Sequence, residues 1–409
     1  MADLHIQYDL RPTYYDQFHC LAGDCRYTCC KGWHISFNKK DYLALKRQEG
    51  TPELTETLQT IVRRVKKGPN AGRWYGEFYL EGGCCALQRE DGLCTLQLEK
   101  GPDALPEVCK VFPRGKAYSD AGYLERTLSP ACEGVLELLW NLPDGVDFVA
   151  DPLTRQERRE LSFNHATPLL FRFQDVRSQC VDLLQDRRYT LPQRILLVGL
   201  ALRELADGET DIDRWLAHVQ ALADSPEAAE QVRLPDSPQA LSMFLMNNVR
   251  LLMDTAAKSG DLIRVPGEVL SALGMEMTVK DGNSADVTIP SEPYLAARAR
   301  YEENFRDSAH FMENLMVTLF FNLQAPNLAG PEELWKSYVD FCNLYSFYRF
   351  MAVASCREGA SGDKAELFRM MVSASRGLLH NNPEKAKLRD EFFKNDSATL
   401  AHMAILLGG

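Results

Sequence analysis

The sequence lacks the marks of export and of membrane insertion. Its N-terminus, Met-Ala-Asp-Leu-His-Ile-Gln-Tyr-Asp-Leu, has no basic segment followed by an apolar one, so no signal peptide is expected. No apolar run of about eighteen uncharged residues exists to span a bilayer. A cytoplasmic chain is therefore expected, which disfavours disulfides. Also missing is a Gly-x-Gly-x-x-Gly turn between alternating strands and helices, which excludes a Rossmann-type domain, and no Gly-x-x-x-x-Gly-Lys-Ser/Thr loop argues for nucleotide hydrolysis. No internal repeat of solenoid period is visible. Positive charge is scarce: 46 Lys and Arg face 57 Asp and Glu, a formal net charge of −11. That balance sets aside general nucleic-acid binding, which needs a basic face, and suits a lysine-bearing partner better.

Cysteine is nearly missing from most of the chain, since residues 133–409 hold only Cys180, Cys342 and Cys356, each in a helical pattern where burial as a small apolar group is expected. The other nine crowd the first third: Cys20, Cys25, Cys29, Cys30, Cys84, Cys85, Cys94, Cys109 and Cys132. Thiolates gathered in this way point to zinc or to an iron–sulfur cluster. The spacing separates the two poorly. Cys20 to Cys30 leaves gaps of four, three and zero residues, unlike the regular pairs of a structural zinc site, and the adjacent Cys29 and Cys30 diverge from any one small ion. Gly32 stands where the Cys-x3-Cys-x2-Cys motif of radical enzymes needs its third thiol, and no Cys-x-x-Cys pair supports a thiol redox protein. His19 and His34 flank the cluster as candidate ligands or donors to a ligand, but a satisfied structural role is the better reading for both, as for the dispersed remaining histidines.

Around the thiols the pattern is short and irregular. Tyr14, Tyr15 and Phe18 lead into the cysteines; residues 39–67 read as two helices broken at Gly50-Thr51-Pro52, the second ending in the basic Arg63-Arg64-Val65-Lys66-Lys67. Residues 70–80 and 122–129 read as strands, and Asp91-Gly92 as the turn of a hairpin returning Cys94 towards Cys84. Cys132 opens a helical run.

The run Cys20-x4-Cys25-x3-Cys29-Cys30-x-Gly32-Trp33, followed by Cys84…Gly92-Leu93-Cys94 and Leu105-Pro106-x-x-Cys109-x-x-Phe112-Pro113-Arg114, resembles the flagellin lysine N-methylases and the broader cysteine-rich group described as zinc- or iron-chelating. The likeness continues through Leu128-Ser-Pro-Ala-Cys132, where the family usually has Ser-Cys-Pro, and returns at Glu313–Phe321. It implies S-adenosylmethionine-dependent methylation of surface lysines on flagellin, with a [4Fe-4S] cluster taking part. The metal-ligand candidates it carries across are Cys20, Cys25, Cys29, Cys30, Cys84, Cys94, Cys109 and Cys132; Cys85 falls where the family often has proline and reads as packing. Eight candidates exceed the four ligands of one cubane cluster.

The expected fold is mainly α: an irregular cysteine-rich metal-binding N-terminal module with short strands over residues 1–150, and a larger all-helical body over 151–409 with a loop-rich insertion at about 259–292. Residues 151–159 read as a polar linker or helix start; helices are expected near 173–188, 191–206, 210–224, 237–258, 294–323, 332–357, 363–379, 384–394 and 397–406. The aromatic stripe from Phe305 to Phe350 reads as core, although Glu313 and Asn322 on those faces are candidates to line the methyl-donor pocket. Lysine methylation also needs a neutral amine, hence desolvation or a base; Asp24 and Glu107 are conceivable bases that nothing in the sequence distinguishes from solvated carboxylates. The alternative is a non-enzymatic interaction module with a structural zinc or iron site.

Overall fold

The computed structural model describes residues 8–67, 71–119, 122–154, 172–225, 227–256, 264–281, 284–379 and 389–409. The cysteine-rich third is built from short pieces: β1 (Tyr8–Pro12), β2 (Ser36–Phe37), α1 (Lys39–Arg47), α2 (Pro52–Ile61), β3 (Val62–Arg64), β4 (Gly76–Phe78), β5 (Leu80–Glu81), β6 (Cys84–Cys85), α3 (Thr95–Lys100), α4 (Glu107–Val111), β7 (Arg114–Tyr118), β8 (Tyr123–Leu128), α5 (Glu133–Trp140) and β9 (Phe148–Pro152). Four strands make a mixed sheet in the order β7-β8-β1-β9, with β1 parallel to β8 and antiparallel to β9. A second sheet runs β2-β4-β3, and β5 pairs with β6 as a hairpin.

Local chemistry sets several of these boundaries. Thr51 caps α2 by accepting from the Leu54 amide at 3.2 Å, Pro52 occupies the first turn, and Leu54, Leu58 and Ile61 bury its apolar face. The helix stops six residues short of the expected Lys67. Val62–Arg64 is pulled into a strand against β4, and the basic patch folds onto rings, with the guanidinium of Arg63 3.6 Å from the Tyr79 centroid and that of Arg64 3.3 Å from Tyr75. Tertiary pairing outweighs helical periodicity there.

The body is helical: α6 (Phe173–Gln185), α7 (Leu191–Ala206), α8 (Ile212–Asp224), α9 (Ala228–Gln231), α10 (Pro238–Ala256), α11 (Arg264–Ala272), α12 (Ser291–Asn304), α13 (His310–Asn322), α14 (Pro331–Ala354) and α15 (Lys364–Leu378), closed by Leu400–Leu407. The loop-rich segment, with β-like pieces expected at 275–279 and 286–289, carries an antiparallel hairpin at those pieces, β10 (Glu276–Asp281) with β11 (Ser284–Thr288), and the unexpected α11 before it. Pro266 and Gly267 lie in the first turn of α11, where proline's missing N–H costs nothing. The single helix expected over 294–323 is two. The chain breaks at Phe305, which buries its ring against Trp140, while His310 at the start of α13 hydrogen-bonds the Trp140 carbonyl at 2.9 Å. The linker expected over 151–159 and the helix over 384–394 fall partly outside the described residues.

The aromatic stripe is core, as expected: Phe311, Phe320, Phe341, Phe347 and Phe350 are all buried, each contributing about 2 kcal/mol by leaving water. That core is continuous with Tyr14, Phe18, Leu128 and Val135 of the cysteine-rich third. A smaller core, around Phe37, Leu58, Phe78 and Leu96, lies beneath β2-β4-β3. Among the described residues no helix is long and apolar enough to cross a membrane.

Candidate metal centre

All twelve cysteines are free thiols. Eight of the nine in the N-terminal third fall into two neighbouring groups, and Cys84 stands outside both. The first gathers Cys20, Cys25, Cys29 and Cys132 beside the N-terminus of α5 and the buried Arg376 of α15. Its scaffold is Glu133, the first residue of α5, only 1% exposed. One carboxylate accepts the backbone amides of Arg26 (2.7 Å) and Tyr27 (3.1 Å), the Arg26 Nε–H (2.5 Å) and the Cys25 thiol (3.5 Å). A loop with no regular structure of its own is thereby pinned to a helix end. Cys132 is the N-cap residue of α5, so the amides of Gly134 and Val135 face its sulfur.

The second group holds Cys30, Cys85, Cys94 and Cys109 against the smaller core. Cys30 is fixed to the β5–β6 hairpin by the Cys85 amide, which donates to its carbonyl at 2.9 Å. Cys94 opens α3 and Cys109 lies within α4. Cys29 and Cys30 hydrogen-bond each other and join the groups; that bond pushes the Cys29 thiol up and lowers Cys30 to about 7. Burial raises five more. Cys25 is lifted to about 12 by desolvation and then by Glu133, Cys85 to about 12 by desolvation, and Cys94, Cys109 and Cys132 are raised for the same first reason. Such thiols stay protonated unless a cation compensates their charge.

The motif residues around them also converge. Trp33 meets Phe112 edge-on with ring centroids 4.9 Å apart, and Arg114 donates to the Phe18 carbonyl at 3.1 Å with its guanidinium over the Phe18 ring. The Gly-Trp and Phe-Pro-Arg motifs are therefore the walls of one site.

Among the described residues, no three His, Cys, Asp or Glu side chains close on a common point as one metal ion requires. A zinc ion with Zn–S bonds of about 2.3 Å needs that convergence, whereas a multi-iron cluster spreads its ligands more widely. In donor chemistry the first group fits a thiolate-held centre: three of its four thiols, Cys25, Cys29 and Cys132, lie close to a buried positive charge that has no carboxylate partner among the described residues.

A family described as FliB lysine N-methylase C-terminal domain matches residues 177–406, more than half of the chain. The chain is also 34% identical over 393 residues to the lysine-N-methylase of Salmonella typhimurium, covering 91% of this chain and 92% of that protein. The chain belongs to the FliB lysine N-methylase family. A domain described as putative zinc- or iron-chelating matches residues 19–128. The lysine-N-methylase of Salmonella choleraesuis is likewise 34% identical over 390 residues, and a flagellar biosynthetic protein FliU of Salmonella muenchen is 33% identical over 144 residues, 33% of this chain and 78% of its own length. No solved structure matches the chain.

Within this FliB-family chain, Cys132 and Glu133 fall between the two matched domains, and Arg376 reaches the thiols from the C-terminal one. Other sequence candidates sit elsewhere. Cys84 engages Gln88 Oε1 at 3.3 Å, and Gln88 bridges to Thr28 and Gly92; the turn at Asp91-Gly92 returns Cys94 to Gln88, four residues beyond Cys84. Cys85, read from sequence as packing, is buried yet faces Cys30 and Cys94. Exposed His19 bonds the Gln17 carbonyl at 2.8 Å and exposed His34 lies 3.7 Å from Glu77. Asp24 and Glu107 are exposed. Sequence reasoning missed Arg376 and Glu133, because the thiols they serve lie far away in the chain; the one signal for Glu133 was its place just after Cys132.

Neither Glu313 nor Asn322 opens onto either described cavity, a cleft of about 740 Å³ between α11 and α15 and one of about 360 Å³ beside β1 and β9. In the larger cleft Glu268 and Glu366 are paired with Arg357 and Arg369. Asn322 donates to the Leu128 carbonyl at 2.8 Å and ties α13 to β8. Asn322→Ala should cost about 1–2 kcal/mol in urea denaturation and leave methyl-donor affinity of the folded protein unchanged. A fall in that affinity at unchanged stability would return Asn322 to the donor pocket.

Proposed function

We propose that this chain is a protein-lysine N-methyltransferase that methylates surface lysines of flagellin in the cytoplasm, using S-adenosylmethionine as donor with a [4Fe-4S] cluster taking part. The observation that carries this reading is likeness to lysine N-methylases over nearly the full length of both chains. The flagellar name of a further relative supports the substrate, and the net charge of −11 suits a partner that presents lysines.

Cys20, Cys25, Cys29 and Cys132 would hold the cluster, since Cys25, Cys29 and Cys132 lie within electrostatic reach of Arg376 and Cys20 adjoins Cys132. Bound by these thiols, a cluster would supply redox and Lewis-acid chemistry. The chain's own residues have two tasks. Glu133 and the N-terminus of α5 fix the thiol loop, and the site must present the substrate amine uncharged. Free lysine has a pKa of about 10.4, and an ammonium has no lone pair to accept a methyl group. We assign the metal to the cysteine-rich third and the docking of flagellin to the helical body.

Protein purified without air should contain iron and acid-labile sulfide in equal amounts, about four of each per chain, and should methylate flagellin lysines as read by mass spectrometry. Cys25→Ala and Cys132→Ala should lose the iron, while Cys84→Ala keeps it. One zinc per chain without sulfide, and unmodified flagellin, would instead favour the structural-site reading that a zinc- or iron-chelating domain also allows.

A further inference from the structure

Three arginines are buried among the described residues: Arg177, Arg194 and Arg376. Two have the partner that a buried charge requires. Arg177 pairs with Glu125 at 2.9 Å and Arg194 with Glu313 at 2.5 Å. Arg376, 6% exposed, has no carboxylate partner among the described residues. Every hydrogen bond it makes ends on a backbone carbonyl: Nη2 on Tyr27 at 2.6 Å, Nη1 on Lys31 at 3.0 Å, and Nη2 and Nε on Ala131 at 3.3 and 3.4 Å. Its guanidinium also lies 5.1 Å from the centre of the Trp33 ring.

A guanidinium does not give up its proton in a protein, so this is a full positive charge taken out of water without an ion to balance it. Carbonyl dipoles satisfy its N–H groups but leave the net charge, and such a charge is strongly unfavourable when unpaired. The ionisable groups that act on it most strongly are thiols: Cys29, Cys25 and Cys132 of the first group, which Cys20 adjoins at Cys132, and Cys30 of the second. Neutral thiols supply no counter-charge. Thiolates on a cubane cluster do, because four of them carry more negative charge than the cluster core carries positive.

We propose that Arg376 is the built-in counter-ion of a net-negative metal–thiolate centre formed at Cys20, Cys25, Cys29 and Cys132, and that it couples the helical body to the filling of that centre. This inference rests on the metal-centre reading above. Arg376 is a positioning residue: it touches no substrate and acts through the charge and orientation of the thiol loop. Its three carbonyl partners, Tyr27, Lys31 and Ala131, come from the two segments that carry Cys29, Cys30 and Cys132, so one side chain both balances the centre and closes its walls.

The test compares the full chain with Arg376→Lys and Arg376→Gln, purified without air. Metal and sulfide per chain, and resistance of the metal to a competing chelator, are measured alongside helical content by circular dichroism. Arg376→Gln should hold its metal about 10- to 100-fold more weakly with unchanged helical content, while Arg376→Lys, which keeps the charge, retains most of the affinity. If the centre is redox-active, its reduction potential falls in Arg376→Gln and stays near the wild-type value in Arg376→Lys. Equal loss in both variants would make Arg376 a carbonyl staple and overturn the proposal, as would a glutamine variant that holds metal like the wild type or unfolds alike with and without metal. A wild-type chain devoid of metal would overturn the underlying metal reading as well, which distinguishes the two failures.

Discussion

Glu133→Ala is expected to lower the free energy of unfolding by about 3 kcal/mol and to release the metal. The wild-type carboxylate accepts two backbone amides, those of Arg26 and Tyr27, and truncation leaves both donors half-buried without that partner. Each orphaned amide costs about 1–3 kcal/mol. The Arg26 side chain adds little, since 45% of it is exposed and it can hydrate once released. The loss falls on the loop of residues 20–30, whose other ties include the Arg376 bond to the Tyr27 carbonyl, the Tyr27 hydroxyl bond to the Ala365 carbonyl and the Cys85 amide bond to the Cys30 carbonyl; none of these holds the two amides. Glu133→Gln keeps one acceptor oxygen and should recover about half of the stability, and Arg26→Ala should cost under about 1 kcal/mol while keeping the metal. Urea denaturation and metal analysis of the three variants settle the matter. An alanine variant with full metal content and wild-type stability would show that the thiol loop is held by something other than this carboxylate.

Much of the scaffold was legible in the sequence where the cause is local. The cap at Thr51, proline in the first turns of α2 and α14, and the apolar spacing of α7 all act within one turn of the residue that shows them. The confinement of cysteine to the first third marked the site because thiol chemistry leaves a compositional trace. What stayed hidden depends on partners distant in the chain. Val62–Arg64 carries a helical period, and only its pairing with β4 turns it into a strand. The break at Phe305 answers to Trp140, about half the chain away, and no residue at 305 announces it. Arg376 is one arginine among many in the sequence; its charge acquires meaning only where the fold sets it beside Tyr27, Lys31 and Ala131.

Glu313→Leu should cost about 3–5 kcal/mol while leaving the metal and the methyl-donor affinity of the folded protein intact. Glu313 sits on the aromatic face of α13, where sequence alone suggested a donor pocket, but both of its oxygens are taken. Arg187 donates to it through Nε and Nη2, and Arg194 through Nη1 at 2.5 Å. Arg194 also holds the Leu184 and Tyr189 carbonyls, and Arg187 the Pro143 carbonyl, so the carboxylate locks the α6–α7 turn against the loop after α5. Removing it strands the Arg194 charge at 9% side-chain exposure, whereas Arg187, 47% exposed, turns to water. Breaking a buried pair from one side is costly for that reason, and Glu313→Gln should cost less because its amide oxygen still accepts from one arginine. The metal is spared because α5 is held at this end by separate bonds: Asn314 donates to the Leu139 and Leu142 carbonyls, and His310 bonds that of Trp140. A donor affinity that falls in Glu313→Gln while its stability holds would place a ligand beside α13 and undo the structural assignment.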